Sequence, residues 1–162
     1  MYVPNEAVES GDLQRGAELA GRDLWLADLA GVDLREADLR AVNLSGADLS
    51  GVDFTGATLR RACLADADLS GATLAGVDLA GADLAGADLS GASLTDADLT
   101  AARLRDTYLG DATVSGVTVS DQTDLYWTLG ERETVAGLGL SESELSQRGV
   151  RVEPEPNEGE SE

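Results

Sequence analysis

Histidine, lysine and isoleucine are absent from the 162 residues, and there is a single cysteine, Cys63. Without histidine the chain has no Ser-His-Asp or Cys-His nucleophile pair and no His/Cys zinc site. One thiol closes no internal disulfide. No apolar stretch approaches the roughly 18 residues of a membrane helix. The segment from Met1 to Glu6 carries neither the positive charge nor the apolar run of a secretory signal, so the sequence predicts a cytoplasmic location and no membrane partner. The eleven basic residues are all arginine and stand against 31 acids, a formal net charge of −20. Such a chain makes a poor direct ligand for nucleic acid, which is itself a polyanion.

What the sequence does have is a repeat. From Ala17 to Asp121 it divides into 21 consecutive pentads without insertion or deletion. The third position is apolar in all 21, from Leu19, Leu24 and Leu29 through Phe54 to Leu109, Val114 and Val119. The first position is Ala or Val in 19, with Arg22 and Thr107 the exceptions; the second is Asp, Glu or Asn in 13, and the fifth is Gly in 11. A five-residue step on an α-helix leaves successive leucines about 140° apart, which forms no buried stripe. On a flat strand an odd step sends alternate leucines to opposite faces. Only a chain that turns at every repeat returns each leucine to one axis, with the polar residues outside.

Ala47-Asp48-Leu49-Ser50-Gly51, Ala82-Asp83-Leu84-Ala85-Gly86 and Ala87-Asp88-Leu89-Ser90-Gly91 resemble the A(D/N)LxX motif of the pentapeptide-repeat family. The resemblance covers 105 of the 162 residues. It implies an all-β fold, a right-handed quadrilateral parallel β-helix of four pentads per coil. Residues twenty apart then stack, so one interior column reads Leu19, Leu39, Leu59, Leu79, Leu99 and another Leu34, Phe54, Leu74, Leu94, Val114. Residues 1–16 are expected to lead into and cap this coil, residues 17–121 to form it, residues 122–152 to cap its far end with a short helix, and residues 153–162 to be a disordered acidic tail. Ser141 with Glu144 makes a capping box for that helix and Gly149 supplies its stop. Tyr126 and Trp127 are expected to lid the core. With Leu138, Leu140 and Leu145 they form the candidate cap and homodimer contact.

Catalysis has no candidate residues, and no cofactor or metal is expected. Cys63 lies close in sequence to Arg60 and Arg61, which would favour its thiolate, yet no base or resolving thiol accompanies it. Calcium-binding β-rolls use a nine-residue repeat with paired glycines, which is lacking here. The candidate interaction face is the one built on Leu29, Leu49, Leu69 and Leu89, where Asp28, Asp48, Asp68 and Asp88 stack. Neighbouring carboxylates repel by about 1 kcal/mol in water, so relief of this ladder makes Asp68→Ala neutral or mildly stabilising. Two functions stand open. One is a rigid, non-catalytic scaffold for an unidentified protein partner. The alternative, implied by the resemblance, is an acidic mimic of duplex DNA that binds gyrase or a related topoisomerase.

Overall fold

The computed structural model describes residues 10–153. Parallel bridges join second-position residues of one coil to the next, Asp28 to Asp48, Asp48 to Asp68 and Asp68 to Asp88, and likewise on the other three sides. A step of twenty residues is four pentads, so the coil is four-sided. Each side contributes a single paired residue before the chain turns, too little for a formal strand.

One pentad accounts for all its backbone donors. In Ala47–Gly51, Asp48 N–H donates down to Ala27 O (2.9 Å), Leu49 N–H up to Asp68 O (2.7 Å) and Gly51 N–H up to Ser70 O (2.9 Å). Ala47 N–H closes the preceding corner on Leu44 O (3.1 Å). The fifth donor, Ser50 N–H, goes to the side chain of Asp48 (3.0 Å). The second-position acid therefore completes a turn that the backbone alone leaves one acceptor short. The corner itself closes from Val52 N–H to Leu49 O (3.1 Å), with φ +65° at Gly51. This is a type II turn, which requires positive φ at its third residue, hence the fifth-position glycines. Where glycine is missing the same conformation persists, at Leu26, Glu36 and Ala41 among others.

The third-position side chains and the small first-position residues fill the interior. Leu24 through Leu109 are fully buried at the third position, Phe54 included, and the core is one cluster from Leu13 to Leu145. Both interior columns read from the sequence are present, with Val114 the least buried member. Thr107, an exception in the Ala/Val column, is buried because its hydroxyl donates to Leu84 O (2.9 Å). Arg22, the other exception, is exposed at the first coil. Leu13, behind a short 3-10 turn at Ser10–Asp12, is buried against that end. Residues 1–9 of the expected lead-in lie outside the described residues.

The C-terminal end departs from the sequence reading. Coiling does not stop at Asp121. The next bridges are Arg103 to Asp124 and Tyr108 to Leu129, 21 residues apart, so Gln122 is a one-residue insertion and Thr123-Asp124-Leu125-Tyr126-Trp127 is another pentad. Leu125 takes the interior position and is buried, while Tyr126 and Trp127 fall on the outward corner, about half exposed. They do not lid the core. The lid is built instead from the chain beyond Thr128, which forms β1 (Leu129–Gly130), α1 (Arg132–Ala136), α2 (Glu142–Gln147) and β2 (Arg151–Val152). Val135, Leu138 and Leu145 are buried on the last coil, and Leu140 is half-buried beside them. The expected capping box is formed at Ser141 and Glu144, and Gly149 has φ +72°. Strand β2 lies parallel on β1 and so acts as a further rung. Arg148 Nη1 donates to Ser120 O (2.8 Å) and anchors α2 to the coil beside the insertion. Gly137 lets α1 approach closely, since a Cβ there would lie 1.5 Å from Val114 O. Glu153 N–H still bonds to Gly130 O (3.0 Å), so the ordered cap includes the first residue assigned to the tail; residues 154–162 lie outside the described residues. No helix among the described residues is long and apolar enough to cross a membrane.

Candidate functional site

The structure brings Asp28, Asp48, Asp68 and Asp88 into direct register on consecutive rungs, about 4.8 Å apart. The column then changes character, continuing as Tyr108, Leu129 and Arg151. Each carboxylate accepts from the backbone N–H two residues on: Ala30 (3.4 Å), Ser50 (3.0 Å), Ser70 (2.9 Å) and Ser90 (2.8 Å). Asp48 also accepts from Ser50 Oγ (2.7 Å), and these two Ser50 bonds hold its carboxyl below the usual range. The charges are thus fixed in direction and spacing by the corner.

Elsewhere several stacked acids are matched by arginine. Asp33 and Asp53 share Arg35, Asp38 takes Arg40, Asp78 takes Arg60, Asp83 takes Arg103 and Asp124 takes Arg105. On the ladder face no ion pair to Asp48, Asp68 or Asp88 is formed among the described residues. Within the described coil this is the one side on which four carboxylates succeed each other without a neutral or basic interruption.

Cys63 is half-buried on the next side, its sulfur 3.0 Å from Ser45 Oγ. Arg60 turns away from it to Asp78 (3.0 Å). Among the described residues no three His, Cys, Asp or Glu side chains converge to hold a metal ion. A concavity of ≈ 720 Å³ in the cap is lined by Trp127, Arg132, Val135, Leu140, Leu145 and Arg151, among others. Of the five residues expected to cap or dimerise, Leu138 and Leu145 are interior, Leu140 is half-buried, and Tyr126 and Trp127 face outward. The two rings stack at 5.6 Å, with Arg105 over Tyr126 and Arg151 over Trp127. Counting pentads from Thr123 instead of Gln122 would have placed them on the corner, since Thr-Asp-Leu is itself a small-acid-leucine triplet.

The chain matches the family model for pentapeptide repeats over residues 15–51, 37–76 and 72–111, as eight copies. The chain belongs to the pentapeptide-repeat family. Its coil is accordingly the right-handed quadrilateral β-helix of pentapeptide-repeat proteins. A similar solved structure is the pentapeptide-repeat protein Rfr23 from the cyanobacterium Cyanothece 51142, 30% identical with a TM-score of 0.66, covering 67% of this chain and 87% of that one. HetL, a pentapeptide-repeat protein involved in heterocyst differentiation regulation in Nostoc sp. strain PCC 7120, is 29% identical with a TM-score of 0.42, covering 85% and 71%. QnrB1, a plasmid-mediated fluoroquinolone resistance protein, is 15% identical with a TM-score of 0.30, covering 64% and 70%. No curated protein matches the chain.

Proposed function

We propose that this pentapeptide-repeat protein is a non-catalytic interaction scaffold whose Asp28, Asp48, Asp68 and Asp88 face binds a basic surface on a protein partner. One observation carries this reading: four carboxylates at fixed spacing stand on a rigid side with no arginine paired to Asp48, Asp68 or Asp88 among the described residues, while Asp33, Asp38, Asp53, Asp78 and Asp83 on the other sides are paired. A partner's cations would relieve repulsion that the isolated chain leaves in place. The side chains are already held by the corner hydrogen bonds, so little rotamer freedom is lost on binding. The test replaces Asp48, Asp68 and Asp88 together by Asn, which keeps the acceptor for each corner N–H and removes three charges. Partner binding should weaken as salt rises in the wild type and fall away in the variant.

A second reading, the DNA mimic directed at gyrase or a related topoisomerase, has charge density in its favour. Residues 17–121 hold 18 acids and seven arginines, net −11. Over the roughly 25 Å of five rungs, B-DNA carries about 15 phosphate charges. A DNA supercoiling assay separates the readings. Inhibition by wild type and not by the triple Asn variant supports mimicry through this face. No effect of wild type at micromolar concentration leaves the scaffold for another partner.

A further inference from the structure

With eleven arginines against 31 acids, a guanidinium without a carboxylate is the exception in this chain. Eight of the arginines meet an acid. Arg22, Arg61 and Arg151 form no ion pair among the described residues. Arg22 and Arg61 stand exposed on the coil. Arg151, in β2, lines the concavity of the cap. Its guanidinium lies over the Trp127 ring, 5.8 Å from the centroid, and donates to no protein acceptor among the described residues. Stacking on an indole settles where the cation sits and leaves its planar fork of donors unspent.

The concavity beside it is mainly apolar, with Val135 of α1, Leu140, Leu145 of α2 and Val150 in its lining. Its other two charged groups, Arg132 and Glu142, pair with each other at 3.3 Å and tie α1 to α2. The walls are held by backbone bonds. Trp127 N–H donates to Gly149 O (2.9 Å), Arg151 N–H to Thr128 O (2.8 Å) and Val150 N–H to Leu145 O (3.0 Å). The volume of ≈ 720 Å³ falls within the range of about 300–1,000 Å³ that small-molecule sites occupy. Such sites combine an apolar lining with a few polar groups that fix orientation, which is the composition found here.

We propose that the cap concavity binds a small amphipathic carboxylate, its apolar body against Val135, Leu140, Leu145 and Val150 and its carboxylate on the Arg151 guanidinium. The charge of the site selects the ligand class. An apolar amine would meet an uncommitted cation, and a neutral molecule would leave that cation's donors unused. A bidentate carboxylate takes them up. The chain as a whole carries −20, so a small anion lacking an apolar body gains nothing that offsets the general repulsion, and acetate is not a ligand. The site lies in the cap and uses none of the ladder aspartates, so it stands or falls separately from partner binding through that face.

The experiment uses the full chain with Trp25→Phe, which leaves Trp127 as the only tryptophan and its emission as the reporter of the site. Decanoate, decanol, decylamine and acetate are titrated below their micellar concentrations. Decanoate should shift the emission in a saturable way, decanol more weakly, and decylamine and acetate should not. Arg151→Gln removes the charge and keeps the N–H bond to Thr128 O, so the cap stays folded. It should weaken decanoate by about fivefold or more and leave decanol unchanged. Ser146→Phe, at an exposed position of α2 that lines the concavity, should block both. No saturable response to decanoate, decylamine binding as well as decanoate, or undiminished decanoate affinity in Arg151→Gln would overturn the proposal.

Discussion

The corner conformation can be tested by substitution in opposite directions at equivalent positions. Gly51 has φ +65°, and a Cβ built there meets nothing within 4 Å, so Gly51→Ala adds no clash and keeps the Gly51 N–H to Ser70 O bond. Its cost is purely conformational, about 1–2 kcal/mol for an L residue in the left-handed region. Loss of glycine's freedom in the unfolded chain returns about 0.4–1 kcal/mol. The net expectation is destabilisation by about 0.5–1 kcal/mol. Ala41, at φ +53°, is the converse case, and Ala41→Gly should stabilise by a similar amount. For a chain of this length either change moves the thermal midpoint by roughly 1–4 °C. Thermal unfolding followed by circular dichroism reads both variants against wild type. A neutral Gly51→Ala together with a destabilising Ala41→Gly would show that the corner glycines answer to something other than backbone conformation.

Asp68→Ala, which repulsion alone makes neutral or stabilising, should instead cost about 0.5–1.5 kcal/mol in denaturant unfolding, because Ser70 N–H loses its acceptor, and Asp68→Asn should recover most of that loss. Gly137→Ala should undock the cap and open the interior at Leu109 and Val114, seen as aggregation on size-exclusion chromatography, since backbone must move to admit the methyl group. Asp33 should titrate near 2 by carboxyl NMR, held there by the hydrogen bond from the Arg35 side chain and then by the Arg35 N–H; Arg35→Gln should raise that midpoint toward the ordinary carboxylate value. Because the folded pKa is depressed, what this pair adds to stability is present above pH ~4 and is lost as pH falls through about 2.

The coil was legible because every pentad repeats the same physical problem. Leu49, Ala47 and Asp48 have the same three tasks as Leu89, Ala87 and Asp88, so the interior columns and the aspartate ladder come from counting by five and by twenty. The capping box at Ser141 was legible because it is local chemistry between residues three apart. The cap was not, and one residue is responsible. Gln122 shifts the count, so the pentads read from the sequence end before Leu125, which is the next interior leucine, and Tyr126 and Trp127 read as a lid when they stand on the corner. Strand β2 had no pattern to betray it, because Arg151-Val152 joins the stack by returning over β1 after two helices. The purpose of the second-position acid was only half visible. Its propensity for turns is a property of aspartate, whereas its place as the fifth acceptor of the pentad emerges once the other four donors are assigned.

The central claim, that the protein acts through its aspartate ladder, is tested most directly by quantitative comparison of the proteins retained from native extract by wild type and by the Asp48→Asn/Asp68→Asn/Asp88→Asn variant at low salt, with both proteins shown to have equal thermal midpoints. The account expects a partner with a basic surface that wild type holds, that salt elutes, and that the triple variant fails to hold. Retention of the same partners in the same amounts by both would contradict it.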